Sequence, residues 1–258
     1  MIQEKLIVLY GQIQDKFVMS NIIPTSDSGW TYNIDTTSIL QSRNEDVVGS
    51  LFSTATTMRA GGYNNQDANL FYTSRIYLNF DLSNVDPGEY GLESVVLSLI
   101  SSGTSTSILN GGHKFYVVEA DTGNSLTTAD YPNLKDRPSS GTYADIVPLY
   151  ADSATAVSAA GTTYEVTLNS AAISDINSAI GTSTEFDLAV ISEWDYTGDF
   201  TEGVDIENEI SDQGLEFHSP NANATSFRPL LVLTDVYRTK CSVLSGTLKI
   251  NSGKLIIK

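Results

Sequence analysis

Hydrophobic positions recur at every second residue across 74–83, where Ile76, Leu78, Phe80 and Leu82 share one parity. A period of two puts them on one face of an extended strand and leaves Arg75 and Asp81 on the other. A half-buried strand is predicted. It ends at Asn84-Val85-Asp86-Pro87-Gly88, where proline fixes φ and glycine accepts positive φ, and alternation resumes with Val95, Leu97 and Leu99 in 92–100. Further strands are predicted at 114–119, 163–168, 186–193, 214–218 and 230–236.

One segment has a different period. Within 169–181, Ile173, Ile176 and Ile180 follow i, i+3, i+7 spacing, Asn169 or Ser170 can cap the first turn, and Gly181 can stop the last. A short helix capping a sandwich is predicted there. Residues 1–45 mix short apolar runs with polar stretches, so they read either as an arm ordered against another body or as the first strands of the sandwich. Near the other end, 245–250 and 252–257 both read Ser-Gly-x-Leu-x-Ile, which predicts a hairpin about Asn251-Ser252-Gly253. A lone hairpin is marginal in water and needs a surface to pack on.

These elements define an all-β expectation: a jelly-roll β-sandwich over 46–237, an N-terminal arm over 1–45 and a basic hairpin tail over 238–258. Composition agrees, with Val, Ile, Thr, Tyr and Phe in the runs and Gly, Ser, Asn and Asp between them. Charge adds an asymmetry. The formal net charge is −17, and no Lys or Arg occurs from Pro138 through Phe227. After Asp235 the chain carries Arg238, Lys240, Lys249, Lys254 and Lys258 with no acid. The acidic body excludes a phosphate-gripping nucleic-acid partner, and the basic residues are candidate assembly contacts, for instance with the acidic body of another copy. They also read simply as solvated charges.

Cys241 is the sole cysteine, so no disulfide framework and no cysteine metal cluster is expected. The apolar stretch 6–10 is too short for a signal-peptide core or a membrane span, so neither the ordinary secretion route nor a membrane partner is expected.

The run Arg75-Ile-Tyr-Leu-Asn-Phe-Asp-Leu-Ser83, the strand at 92–99 and the closing Phe227-Arg-Pro-Leu-Leu-Val-Leu233 resemble the jelly-roll modules named for a DNRLRE motif. The motif itself is not spelled out here. The segments 120–131, 164–173 and 193–198 look like a related set of modules common in bacteriophage virion proteins. The resemblance spans roughly 50–236 and implies a fold; it implies function only by analogy, either a virion component or a carbohydrate-binding or cell-surface module. Arg75, Asp81 and Arg228 in these motifs read as structural. An arginine on a strand binds carboxylates or carbonyls, Asp81 pairs with an arginine or caps a turn, and Arg228 before Pro229 braces the start of a strand.

The search for chemistry is thin. Nucleophilic triads need a histidine, and His113 and His218 stand in no nucleophile or metal motif. The densest acids run from Glu193 through Glu209. Asp195, Asp199 and Asp205 are candidate ligands for Ca²⁺, which takes carboxylate and carbonyl oxygens, although their spacing is not that of an EF-hand. Trp194 and Tyr196 flank Asp195 and, on a strand, would share a face. That trio is a candidate glycan grip, and the same face reads equally as core. Neither catalysis nor any other cofactor is expected. The leading expectation is a structural protein of a bacteriophage virion, in contact with other virion proteins and with copies of itself. The alternative is an extracellular or cell-surface carbohydrate-binding or adhesin module that meets surface glycans.

Overall fold

A computed structural model describes residues 19–35, 42–43, 50–65, 70–85, 91–102, 113–123, 126–131, 134, 147–182, 185–198, 213–235, 248–251 and 254–257. The strands are β1 (Met19–Ile22), β2 (Gly29–Asp35), β3 (Ser50–Phe52), β4 (Thr57–Asn65), β5 (Leu70–Asp81), β6 (Leu92–Ile100) and β7 (His113–Glu119). They continue with β8 (Thr155–Val157), β9 (Thr163–Thr167), β10 (Glu185–Ser192), β11 (Gln213–His218), β12 (Leu230–Asp235), β13 (Leu248–Asn251) and β14 (Lys254–Ile257).

The protein is an all-β sandwich of antiparallel sheets. One sheet runs β1-β12-β6-β9 and the other β11-β4-β5-β10-β7-β8, with β2 paired to β5 and β3 to β2. In chain order, β1, β5, β6, β7, β8, β9, β10 and β12 take places one, eight, three and six in the first sheet and two, seven, four and five in the second. That interleaving is the jelly roll. The strands β2, β3, β4 and β11 are additions at the β5 side.

Register explains how so many strands reach β5. Ser74 faces Gly61 of β4 and Tyr32 of β2, whereas Ile76 faces Val190 of β10 and Trp30 of β2. Thus β4 and β10 lie end to end along one edge of β5, and β2 holds the other. The strand β4 leaves that edge at Gly61, whose φ of 133° favours glycine. The Ser74 hydroxyl donates to the Gly61 carbonyl at 3.0 Å. Beyond the split, Met58 and Ala60 pair with β11 and are fully buried in the main core.

That core lies between the sheets, where Ile76, Leu78 and Phe80 meet Val95, Leu97, Leu231 and Leu233. The predicted strand at β5 is real, but it is not half-buried. Arg75, Tyr77 and Asn79 on its other face are at most 4% exposed. A second apolar cluster of Tyr77, Val118, Leu126, Val147, Ile191 and Tyr196 covers them.

The expected helix spans Ser170–Thr182, and the Asn169 carboxamide caps it by accepting from the amides of Ala171 at 3.0 Å and Ala172 at 3.2 Å. Ala172 and Ile176 face the core. The boundary expected at residue 46 needs correction, because β1 and β2 already belong to the two sheets and Arg43 is buried within the body. The arm reading therefore fails for 19–35 and 42–43; residues 1–18 lie outside the described set. The alternation of β2 was masked by chemistry. Trp30 and Tyr32 line one face, while Thr31 and Asn33, both polar, are buried on the other.

Candidate functional site

Three features bear on function: a buried charge cluster, an open strand edge, and a separate basic hairpin. The cluster occupies the place where a ligand grip was expected. Instead of continuing a strand, Glu193–Thr197 forms one helical turn, and Gly198, at φ 69°, closes it by donating to the Trp194 carbonyl at 2.9 Å. The turn aims Asp195 inward. Its carboxylate accepts from Arg75 Nε at 2.8 Å and Arg75 Nη2 at 3.0 Å, a two-pronged pairing. Arg43 Nε lies 3.2 Å from the same carboxylate and donates to the Asp195 carbonyl at 2.8 Å. The side chains of Arg43, Arg75 and Asp195 are 1% exposed or less.

Tyr131 completes the cluster. The Arg75 guanidinium sits 4.2 Å from the centre of its ring, and the Tyr131 carbonyl accepts from Arg75 Nη1 at 2.9 Å and the Tyr77 hydroxyl at 2.7 Å. A 3-10 turn at Thr128–Asp130, closed by a Thr127–Asp130 capping box, places that ring. The chemical content is structural: donors and acceptors from four distant segments satisfy one another away from water.

The ligand expectations at this segment are therefore corrected. Asp195 is engaged by two arginines and has no exposed surface to offer a sugar or Ca²⁺. Tyr196 is 6% exposed and packs on Tyr116 with ring centres 4.4 Å apart. Trp194 is half-buried on the same helical turn rather than on a strand face shared with Tyr196. Asp199 and Asp205 lie outside the described residues. Among the described residues no group of His, Cys, Asp or Glu is placed to hold a metal ion.

The motif residues have defined places. Arg75 is the centre of the cluster. Asp81 is exposed and its carboxylate caps a turn by accepting from the Ser83 amide at 2.8 Å; hydrogen bonding from the Ser83 hydroxyl, and then from that amide, holds it below the usual range. Arg228 donates from Nε to the Ala222 carbonyl at 3.2 Å, just ahead of β12. His218 ends β11 and stacks on Phe227 with centres 4.8 Å apart, and burial lowers its affinity for a proton.

Sequence reasoning missed a second polar knot. Asp187 accepts from the Thr122 amide at 3.1 Å, the Thr122 hydroxyl at 3.0 Å and Asn79 Nδ2 at 2.6 Å. Asn79 also bonds Gly123 and Thr25, so this knot ties the 25–28 loop to β5, β10 and the 122–123 loop. Burial pushes the Asp187 carboxyl up to about 6. Also missed was an aromatic stack, Trp30 on Phe52 at 4.4 Å with Tyr32 alongside, which uses ring faces against one another.

Among the described strands β1 and β9 are the two edges of the smaller sheet, and β1 pairs there with β12 alone. Beside it lies a groove of about 430 Å³ between residues 20–23 and the turn at Asp81, Asn84 and Val85. Ile22 and Val85 rest on the core at its floor, and Ile23 is 43% exposed. The hairpin, β13–β14, forms a two-stranded sheet of its own. Its register pairs Leu248 with Ile257 and Ile250 with Leu255, so these four positions share a face, while Lys249, Asn251, Lys254 and Ile256 fall on the other. Arg238, Lys240 and Lys258 lie outside the described residues.

Among the described residues no helix is long and apolar enough to cross a membrane. No protein-family model matches this chain, and no curated protein matches it either.

Proposed function

We propose that this chain is a non-enzymatic structural protein of a bacteriophage virion, a jelly-roll body on the exterior of the head or tail held in place by its C-terminal extension. The observation that carries the reading is the hairpin, a basic two-stranded sheet separate from both sheets of an acidic body. A two-stranded sheet with one apolar face is too small to be stable alone in water, so it calls for a partner surface. The resemblance of 50–236 to virion jelly-roll modules supplies the context. The two polar knots support the same reading, because they spend buried charge on rigidity, as a displayed scaffold requires.

The test is incorporation. Particles assembled with a chain ending at residue 237 should contain little or none of it, whereas the full chain should be retained through particle purification. Equal retention of both would refute attachment through the hairpin. Absence of the full chain from purified particles would refute the virion role.

A further inference from the structure

The open edge of β1 and the hairpin fit one another in length, apolar pattern and charge. All three strands, β1, β13 and β14, are four residues long. Among the described strands β1 has a partner on one side alone, and beside it lies a groove floored by Ile22 and Val85 and flanked by exposed Ile23. The hairpin brings an apolar face of Leu248, Ile250, Leu255 and Ile257. Its other face carries Lys249 and Lys254 together with Asn251 and Ile256. The sheet it would extend contains Glu93, Glu165 and Asp235 and not one Lys or Arg.

We infer that the hairpin of one copy docks on the β1 edge of a second copy, adding two strands to the β1-β12-β6-β9 sheet. Backbone pairing satisfies the edge, and the added strands lay their apolar face over the groove. The lysines then lie on the outer face of an otherwise anionic sheet, where the opposite charges favour docking. Because the β1 edge of one copy meets the hairpin of the next, the contact is head-to-tail and closes into a ring or propagates as an array. This inference rests on the assembly reading and names the partner as the chain itself.

The experiment uses the full chain in sedimentation velocity over a concentration series. Self-association is expected, weakened more than about tenfold by Ile23→Glu and by Lys249→Glu with Lys254→Glu, and lost in a chain ending at 237. Circular dichroism and thermal melting should show each variant still folded. A second measurement sets the direction of docking: in a Cys241→Ser background, a tagged chain with Ile23→Cys is mixed with an untagged chain with Ile250→Cys. A disulfide between the two populations is expected. A wild-type chain that stays monomeric at about 100 μM, association unchanged by truncation, or the absence of a disulfide between the two populations would each overturn the inference. A monomeric chain that still enters virions would do so while leaving the virion role intact.

Discussion

Arg75 and Asp195, 120 positions apart in the chain, meet through two hydrogen bonds of 2.8 and 3.0 Å with neither side chain exposed. A buried pair of this kind contributes little over an apolar substitute, but breaking it strands a charge in the interior. Arg75→Met and Asp195→Ala should each destabilise the fold by about 3–5 kcal/mol in urea denaturation. The double variant should cost less than the two losses combined. Single variants within about 1 kcal/mol of wild type would show that the cluster is not what fixes the 193–197 turn.

Asp187 gives the fold a pH dependence of unusual sign. Burial raises its carboxyl to about 6, and the bonds from Thr122 and Asn79 only partly oppose this. An unfolded aspartate titrates near ~3.9. Between the two values the folded chain keeps a proton that the unfolded chain has released. The contribution is therefore complete below ~4 and lost as pH rises through about 6, on the order of 2–3 kcal/mol. Asp187→Asn, which stays neutral, should gain on the wild type by that amount between pH 4 and pH 7 when urea midpoints are compared. A constant difference across that range would refute the assignment.

Gly29 of β2 packs against the backbone at the end of β3. A Cβ there would stand 2.5 Å from the Phe52 carbonyl oxygen and 2.8 Å from the Ser53 Cα, both backbone atoms. Gly29→Ala should cost about 1–3 kcal/mol and push Phe52 off Trp30. In a Trp194→Phe background the near-ultraviolet circular dichroism of Trp30 should weaken. An unchanged spectrum and melting temperature would mean that β3 moves freely.

The helix cap separates two neighbouring residues. Asn169 accepts from two helix amides and also donates to the Leu149 carbonyl at 2.8 Å. Asn169→Ala should lower stability by about 1–2 kcal/mol, and Ser170→Ala by a few tenths. Equal effects would place the cap at Ser170.

What could be read in the chain beforehand was whatever a local period expresses. The predicted strands at β5, β6, β7, β9, β10, β11 and β12 lie within a few residues of the observed ones, because each sets an apolar face against the core. The Asn169 helix was equally legible. By contrast, β2 buries Asn33, whose Nδ2 donates to the Ser42 carbonyl at 2.9 Å, and that partner is invisible to a pattern of apolar positions. Asp195 misled for a related reason. Its neighbours Trp194 and Tyr196 looked like a strand face, and only Gly198 hinted that the chain turns there. The arginines that claim Asp195 are 120 and 152 positions away.

The division of one β5 edge between β4 and β10 also bears on the order of assembly. The β4–β5 hairpin closes over a short loop and can zip early, while β10 arrives from more than a hundred residues downstream. Continued past Gly61, the hairpin register would set Ala60 opposite Arg75 and Met58 opposite Tyr77, on the face away from the main core. In the native sheet both residues turn the other way and sit at zero exposure in that core. Gly61 thus acts as a stop for the zipper, keeping half of an edge vacant for a late strand.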